Sequence, residues 1–177
     1  NCDPAVTITY NELSTQTSDG SCTDDTYLLT RTWEATDNCG NVSTYTQLIN
    51  VEDTTAPVFD VSSLPVDLTV ECDAVPVPAS PTATDNCDTD VIVDYAEVRT
   101  DGTCPDSYTL TRTWTATDNC ENETVHVQTI TVEDTEGPIF NETLPTDVTV
   151  QCDEVPDAAI LTADDNCDAD VIVDYAE

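Results

Sequence analysis

Apolar and polar residues alternate along several short stretches of the chain, a pattern typical of half-buried β-strands. The longest stretch is Ser107–Thr117, in which every second position from Thr109 onward is a threonine. The positions between them are occupied by Tyr108, Leu110, Arg112, Trp114 and Ala116. Threonine itself favours strands. The pattern therefore predicts one long strand with a distinct apolar face.

Shorter segments predict further strands in the same part of the chain. Asp67–Val70, Val91–Tyr95 and Val125–Val132 are rich in β-branched residues. Val75–Pro81 contains three prolines, and proline restricts this segment to an edge or irregular strand because it cannot donate to a ladder. No stretch has the 3.6-residue period of a helix. About seven short strands in roughly 80 residues predict a small β-sandwich.

The chain repeats itself with a period of about 80 residues. Asn86–Glu97 returns as Asn166–Glu177, a shift of 80 that changes one residue. Arg31–Cys39 returns as Arg112–Cys120, a shift of 81 that also changes one residue. A period this long indicates an array of small domains. The predicted fold class is therefore all-β, with tandem immunoglobulin-like sandwich modules.

The module boundaries are predicted at two copies of the sequence Val-Glu-Asp-Thr, at Val51–Thr54 and Val132–Thr135. Each copy is followed by a proline, which ends the incoming strand and stiffens the linker. The resulting modules are 1–53 (a C-terminal part), 54–134 (complete) and 135–177 (an N-terminal part). A division at each Asn-Cys pair is the alternative. We expect the chain to be a segment of a longer secreted protein, since it begins inside a motif.

Charge excludes several classes of partner. The chain has 37 Asp and Glu residues against 3 Lys and Arg residues, for a formal net charge of −34. Phosphate binding requires clustered cationic side chains, so nucleic acid and anionic membranes are excluded as partners. No apolar run approaches the roughly 18 residues of a membrane span, so membrane insertion is not expected.

Nine cysteines indicate an oxidising, extracellular location. The chain contains no C-x-x-C sequence, and its single histidine, His126, has no cysteine nearby in the sequence. Zinc-finger and redox motifs are therefore absent. The cysteines follow the repeat in three sets: Cys2, Cys22, Cys39 and Cys72; Cys87, Cys104, Cys120 and Cys152; and Cys167 alone.

Strand directions predict which cysteines pair within the complete module. If successive strands alternate in direction, Asp67–Val70 and Val125–Val132 run the same way. Cys87 and Cys120 then lie at the N-terminal end of the module, and Cys72 and Cys104 lie at the other end. The predicted disulfides are Cys87–Cys120 and Cys72–Cys104. The alternative, Cys72–Cys87 with Cys104–Cys120, would require Ser107–Thr117 to be broken, because that strand is roughly 30–36 Å long and a disulfide needs Cα atoms within about 7 Å.

Three motifs resemble the hyalin-repeat (HYR) and HYR-like family. They are P-x-A-T-D-N-C at Pro81–Cys87, R-T-W-x-A-T-D-N-C-G-N at Arg31–Asn41, and x-Q-x-I-x-V-E-D-T-x-A-P ending at Pro57. The resemblance covers the whole chain and implies immunoglobulin-like modules of large secreted bacterial surface proteins, of the Bacteroidetes type. It also implies adhesion or a structural stalk. Many animal HYR modules carry a cysteine in the last strand, and Val125–Val132 has none.

The acidic turns suggest a cation site. The predicted path brings two Asp-Asn-Cys turns and the linker acids to the N-terminal end of a module, and hard cations such as Ca²⁺ take 6–8 oxygen ligands from such loops. The alternative is a solvated acidic surface suited to a saline habitat, with Asp-Asn as turn formers. The predicted Ca²⁺ ligands are Glu52, Asp53, Asp85, Asp88, Asp118 and Asn119, and at the next linker Glu133, Asp134, Asp165 and Asp168.

Catalysis is not expected, since the sequence offers no nucleophile with a base and modules this small have no room for a cleft. The predicted function is a structural repeat of an extracellular stalk, filament or adhesin, rigid and stabilised by disulfides and Ca²⁺. Glycan or protein binding at the cell surface is the alternative. The expected partners are the neighbouring modules of the same chain, with lateral or end-to-end self-assembly as a further expectation.

Overall fold

The computed structural model describes residues 6–176, and the chain is all-β, as predicted. Two one-turn 3₁₀ helices, Cys22–Asp24 and Cys72–Ala74, are the helical elements of these residues. The strands are β1 (Thr7–Ser14), β2 (Tyr27–Thr36), β3 (Val42–Val51), β4 (Val58–Phe59), β5 (Leu68–Glu71), β6 (Ala83–Thr84), β7 (Ile92–Asp101), β8 (Tyr108–Thr117), β9 (Glu123–Glu133), β10 (Ile139–Phe140) and β11 (Ala163–Asp164).

The chain divides into two compact units. Unit 1 comprises Asn1–Leu64, Ala79–Tyr95 and Trp114–His126, and unit 2 comprises Pro65–Pro78, Ala96–Thr113 and Val127–Glu177. The long strands β7, β8 and β9 contribute residues to both units.

Strands β1, β2 and β3 form an antiparallel sheet in that order. Its register places Trp33 opposite Tyr10 on one side and Tyr45 on the other. The rings of Tyr10 and Trp33 lie 5.4 Å apart between centroids, and those of Trp33 and Tyr45 lie 5.8 Å apart. Such aromatic pairs across neighbouring strands stabilise a sheet.

Strands β5, β9, β8 and β7 form a four-stranded sheet in that order. Strand β5 is parallel to β9, with Leu68 opposite Ile130, which confirms the predicted common direction of these two strands. Strands β4 and β6 form a separate antiparallel pair. Between residues 54 and 134 there are six strands, against about seven predicted, and the proline-rich segment Val75–Pro81 is irregular.

The core of unit 1 is built on Trp114, whose exposed fraction is 1%. Phe59 from β4 and Ala116 from β8 are buried beside it, so the short β4–β6 pair covers this part of the larger sheet. The indole Nε1 donates a hydrogen bond to the carbonyl of Ala79 at 3.2 Å, which satisfies the ring's polar atom inside the core.

The core of unit 2 contains Leu110, Ile130 and Val132, with Val70, Val75 and Tyr108 packed against them. Arg112 is also buried here, with an exposed fraction of 3%. Its Nε donates to Glu97 at 2.7 Å, and its second amino group donates to the carbonyl of Pro76 at 2.9 Å. The alternation of β8 is therefore confirmed, and its one charged core residue has a carboxylate partner.

The predicted disulfides Cys87–Cys120 and Cys72–Cys104 are wrong. Cys120 is bonded to Cys22, with 4.5 Å between Cα atoms, and Cys72 is bonded to Cys167, with 5.7 Å between Cα atoms. Cys87 and Cys104 are exposed free thiols, so the alternative pairing does not form either.

The physical reason is that a cysteine from a flanking repeat lies at each end of the complete module. Cys120, at the N-terminal end of the complete module, lies within disulfide distance of Cys22 from the preceding repeat. Cys72, at the other end, lies within disulfide distance of Cys167 from the following repeat. The expectation that Cys104 and Cys120 do not pair holds. Cys2 lies outside the described residues.

Candidate functional site

The Asp-Asn-Cys motif forms a tight turn around its own aspartate. In the turn after β8, Asp118 Oδ1 accepts hydrogen bonds from the backbone N–H groups of Cys120 at 2.8 Å and Asn122 at 2.9 Å. In the turn after β6, Asp85 Oδ1 accepts from the N–H groups of Cys87 at 2.8 Å and Asp88 at 3.1 Å. The aspartate organises the turn, as in an Asx turn.

These turns bring buried carboxylates together beside the linker after β3. Asp53 has an exposed fraction of 7%, and its Oδ1 accepts from the N–H of Thr55 at 3.1 Å. Asp53 Oδ2 and Asp85 Oδ2 are buried without a hydrogen-bond partner. One carboxylate oxygen from each residue and the sulfur of Cys87 lie within 4.8 Å of one another. Asp53 is buried and Asp85 half-buried, and two carboxylates this close repel each other unless a cation or a proton lies between them.

A third unpartnered oxygen belongs to Asn119. Its backbone N–H donates to Asp88 Oδ2 at 2.9 Å, and its side-chain amide donates to Asp25 Oδ2 at 3.1 Å. Its Oδ1 is buried and has no partner. We call the six residues Asp25, Asp53, Asp85, Cys87, Asp88 and Asn119 the Asp53 cluster.

The surroundings of the Asp53 cluster are strongly negative. An open cavity of about 520 Å³ adjoins it, with Asp24, Asp90 and Asp118 in its wall as well as residues of the cluster. Loss of solvent around the thiol, together with the negative charge of Asp53, Asp25 and Asp85, raises the pKa of Cys87. A field of this sign attracts cations.

A second cluster surrounds Asp134, which stands 81 residues after Asp53 in the repeat. Asp134 Oδ1 is buried and unpartnered. Ligand atoms of Glu71, Asp134 and Cys167 lie within 4.8 Å of one another, and so do those of Cys104, Asp106 and Asp134. Loss of solvent raises the pKa of Asp134, and the charges of Asp165, Asp106 and Glu71 raise it further. We call these six residues, Glu71, Cys104, Asp106, Asp134, Asp165 and Cys167, the Asp134 cluster.

The predicted ligands at the first linker differ in whether their side-chain oxygens already accept hydrogen bonds. Asp53, Asp85 and Asn119 each keep one buried oxygen without a partner. Asp88 uses both oxygens, accepting from the N–H groups of Asp90 and Asn119. Asp118 also uses both, since its Oδ2 accepts from the Asn122 amide. Glu52 is exposed and accepts from the Asn50 side chain, outside the group of close ligand atoms.

The predicted ligands at the second linker follow a similar division. Asp134 keeps an unpartnered buried oxygen. Asp165 Oδ1 accepts from the N–H groups of Cys167 and Asp168, and these bonds lower its pKa. Asp168 accepts from the N–H of Asp170 and is exposed. Glu133 is exposed at the end of β9.

Sequence reasoning missed three acids of the clusters, Asp25, Asp106 and Glu71. Asp25 and Asp106 have a signal in the sequence, because each follows the cysteine of an Asp-Gly-x-Cys segment and precedes a long strand. Glu71 precedes Cys72, and its place beside Asp134 follows from the parallel pairing of β5 with β9, in which Glu71 lies opposite Glu133.

Comparison with known families decides the classification of the central segment. A family model described as an HYR-like domain with 4 cysteines matches residues 61–132. The matched residues contain Cys72, Cys87, Cys104 and Cys120, four cysteines as the description requires. Residues 61–132 are therefore similar to an HYR-like domain.

HYR-like domains are structural and adhesion-type modules of extracellular proteins. The matched residues include Pro81–Cys87, which carried the resemblance, and Arg112–Cys120, which repeats Arg31–Cys39 with one change. No curated protein matches the chain. Among residues 6–176, no helix has the length and apolar character needed to cross a membrane.

Proposed function

We propose that the chain is a structural repeat segment of an extracellular stalk, filament or adhesin, held rigid by disulfides and by Ca²⁺. The observations that carry this proposal are that ligand atoms of Asp53 and Asp85 lie within 4.8 Å of each other, and that each of these residues has a buried oxygen without a hydrogen-bond partner, as does Asn119 in unit 1 as well. Buried polar atoms are normally hydrogen-bonded, so three orphan oxygens in one cluster require an explanation.

The donor set favours a hard cation. Two carboxylates and one amide oxygen are ligands that Ca²⁺ takes in proteins, with backbone carbonyls and water completing 6–8 positions. Ca²⁺ tolerates the irregular geometry of flexible loops better than Mg²⁺, which demands a near-ideal octahedron. The thiol of Cys87 is a soft ligand and contributes nothing to a calcium site.

A cation here would tie three segments of the chain together. Asp53 belongs to the linker after β3, Asp85 to the turn after β6, and Asn119 to the turn after β8. The Cys22–Cys120 disulfide attaches the turn after β8 to the 3₁₀ helix before β2. The linker is held to the neighbouring Thr26, because Asp53 N–H donates to Thr26 Oγ1 at 3.0 Å. Because the linker would be fixed by a metal, a disulfide and hydrogen bonds, successive repeats would be held in one orientation. That property suits a stalk or filament that carries load.

Calcium binding to the whole oxidised chain tests the proposal. Isothermal titration calorimetry should detect binding at millimolar Ca²⁺ or below, and Ca²⁺ should raise the melting temperature because it binds only the folded chain. Asp53→Asn and Asp85→Asn should weaken binding. Asp94→Asn is the matched control, since it removes the same charge from an exposed position on β7. Absence of binding at millimolar Ca²⁺, or equal weakening by the control, would contradict the metal site.

The fibre is tested separately by electron microscopy of the native material. The proposal expects elongated particles composed of many repeats. Isolated small particles would contradict the stalk or filament, whatever the outcome of the calcium titration.

A further inference from the structure

The cysteines of the repeat fall into four positions that recur along the sequence. Each position is defined by its motif: Asn-Cys-Asp before a strand, Asp-Gly-x-Cys before the next strand, Ala-Thr-Asp-Asn-Cys after an Arg-Thr-Trp strand, and Cys-Asp after β5 or its counterpart. The described cysteines at these positions are, in that order, Cys87 and Cys167; Cys22 and Cys104; Cys39 and Cys120; and Cys72 and Cys152.

The two disulfides join different pairs of positions. Cys22–Cys120 joins the Asp-Gly-x-Cys position of one repeat to the Asp-Asn-Cys position after the Trp strand of the following repeat. With the repeats divided at Val-Glu-Asp-Thr, as in the modules 54–134 and 135–177, Cys72–Cys167 joins the Cys-Asp position to the Asn-Cys-Asp position of the following repeat. Both bonds therefore run forward from one repeat to the following one, and together they use all four positions.

Each acidic cluster shows one of these bonds and one free thiol. The Asp53 cluster adjoins the Cys22–Cys120 bond and contains the thiol of Cys87. The Asp134 cluster adjoins the Cys72–Cys167 bond and contains the thiol of Cys104. In each cluster the free thiol occupies a position that is bonded in the other cluster.

The surroundings of the equivalent cysteines agree. Cys87 has a carboxylate oxygen of Asp53 within 4.8 Å, and Cys167 has one of Asp134 within the same distance. Asp53 and Asp134 are themselves equivalent in the repeat. Cys87 therefore has the same acidic neighbour as Cys167, which is bonded to Cys72.

We propose that Cys87 and Cys104 are disulfide sites for further repeats of the same polypeptide. Cys87 bonds to the cysteine at the Cys72 position of the preceding repeat, and Cys104 bonds to the cysteine at the Cys120 position of the following repeat. Each contact between successive repeats then contains two disulfides. This inference rests on the proposed tandem array, and it specifies how neighbouring repeats are joined.

The chemistry is thiol oxidation by a disulfide compound. The two thiols lose two protons and two electrons and form one S–S bond, while the oxidant, such as oxidised glutathione, is reduced to two thiols. The reaction proceeds by thiolate attack through a mixed disulfide, so it requires the oxidising conditions of an extracellular protein.

Because the sequence repeats, further repeats can be added at both ends in register. A copy of residues 54–85 is placed before Asn1, so that it continues into Asn-Cys-Asp as the chain does at Asn86. A copy of residues 98–177 is placed after Glu177, so that it continues as the chain does after Glu97. Asp73→Glu in the first copy and Glu121→Asp in the second mark the added cysteine peptides by mass. The extended chain is refolded with oxidised glutathione, alkylated and mapped by mass spectrometry without reduction.

Cys87 and Cys104 are free in the 177-residue chain and should both be alkylated there. In the extended chain, the expected result is loss of alkylation at both cysteines and the appearance of cross-linked peptides that contain the two marked cysteines. Cys104→Ser in the extended chain is the matched control. It should expose the marked Cys120 copy to alkylation and leave the bond of Cys87 in place.

Three results would overturn the proposal: continued alkylation of Cys87 and Cys104 in the extended chain, bonds between these cysteines and others of their own repeat, or bonds between separate chains seen as dimers on a non-reducing gel. Calorimetry with Ca²⁺ on the same extended chain keeps the two proposals distinguishable. If Ca²⁺ binds while the thiols stay free, only the disulfide proposal fails. If the disulfides form and Ca²⁺ does not bind, only the proposed calcium site fails.

Discussion

Strands β2 and β8 carry nearly the same sequence and end in different environments. Arg31–Cys39 and Arg112–Cys120 differ only at Glu34 and Thr115. Trp114 is 1% exposed, whereas Trp33 is half-buried. Arg112 has a side chain 4% exposed, against 37% for Arg31.

The contacts within each sheet are nevertheless the same. Tyr10 lies 5.4 Å from Trp33, and Tyr95 lies 5.3 Å from Trp114. Each arginine Nε donates to a glutamate at 2.7 Å. What differs is the covering layer, because Phe59 and the segment at Ala79 pack on Trp114. Within residues 6–176, no residue of β1–β3 belongs to a buried hydrophobic cluster. The strand sequence specifies its neighbours in the sheet, and the burial comes from other segments.

The largest expected effect is on the two tryptophans. Trp114→Ala should lower the free energy of unfolding by about 3–5 kcal/mol, because it leaves a cavity in a core. Trp33→Ala should cost less than half as much, since that ring is already half in water. Urea unfolding followed by circular dichroism measures both, and hydrogen exchange of the β8 and β2 amides localises the loss. Equal costs would show that the two strands are covered alike.

The next effect concerns the arginine partners. Glu97→Gln should cost about 2 kcal/mol, because the guanidinium of Arg112 is buried and loses its carboxylate. Glu12→Gln should cost clearly less than Glu97→Gln, because the pair of Glu12 with Arg31 is partly exposed and water replaces it. The same unfolding measurement compares the two variants, which remove the same charge. A larger loss for Glu12→Gln would contradict the comparison.

A smaller effect is expected in the turns that follow the two strands. Gly40 and Glu121 occupy the same turn position, with φ of 82° and 65°. Gly40→Ala should cost about 1 kcal/mol, since a residue with a Cβ is strained at positive φ. Glu121→Gly should stabilise by up to about 1 kcal/mol by relieving that strain. Thermal unfolding should show a lower melting temperature for Gly40→Ala and a higher one for Glu121→Gly. A lower melting temperature for both variants would show that the Glu121 side chain itself stabilises the turn.

The smallest effect is on pH dependence. The hydrogen bond from the Tyr10 hydroxyl, with that from Arg31, lowers the pKa of Glu12 in the folded chain. A carboxyl with a lowered folded pKa stabilises the fold above its unfolded pKa, and this contribution is lost as pH falls through the folded pKa. The β1–β3 sheet should therefore weaken in acid, and Glu12→Gln should flatten that dependence. Amide NMR of Trp33 against pH would show it.

The strand pattern was predictable because the alternation of β8 is local and its faces are chemically distinct. The parallel direction of β5 and β9 was also predictable from the number of intervening strands.

The disulfides were not predictable from one module, because their partners lie 98 and 95 residues apart in different repeats. Strand directions predict the end of the module at which each cysteine lies. They do not show that a cysteine of the neighbouring repeat lies at the same end. The role of each acid was also hidden in the sequence. Asp53 and Asp118 are the same residue type, and the sequence does not distinguish them. In the structure both carboxylate oxygens of Asp118 accept hydrogen bonds within its turn, whereas one oxygen of Asp53 has no partner.

The spacing of the two disulfides has a consequence for damage. The loops that they close overlap along the sequence, since Cys72 lies inside the loop from Cys22 to Cys120, and Cys120 lies inside the loop from Cys72 to Cys167. Every peptide bond between Cys22 and Cys167 is thus spanned by at least one S–S bond. A protease that cuts the backbone once anywhere in this stretch leaves both fragments covalently attached. The chain can be nicked without being severed.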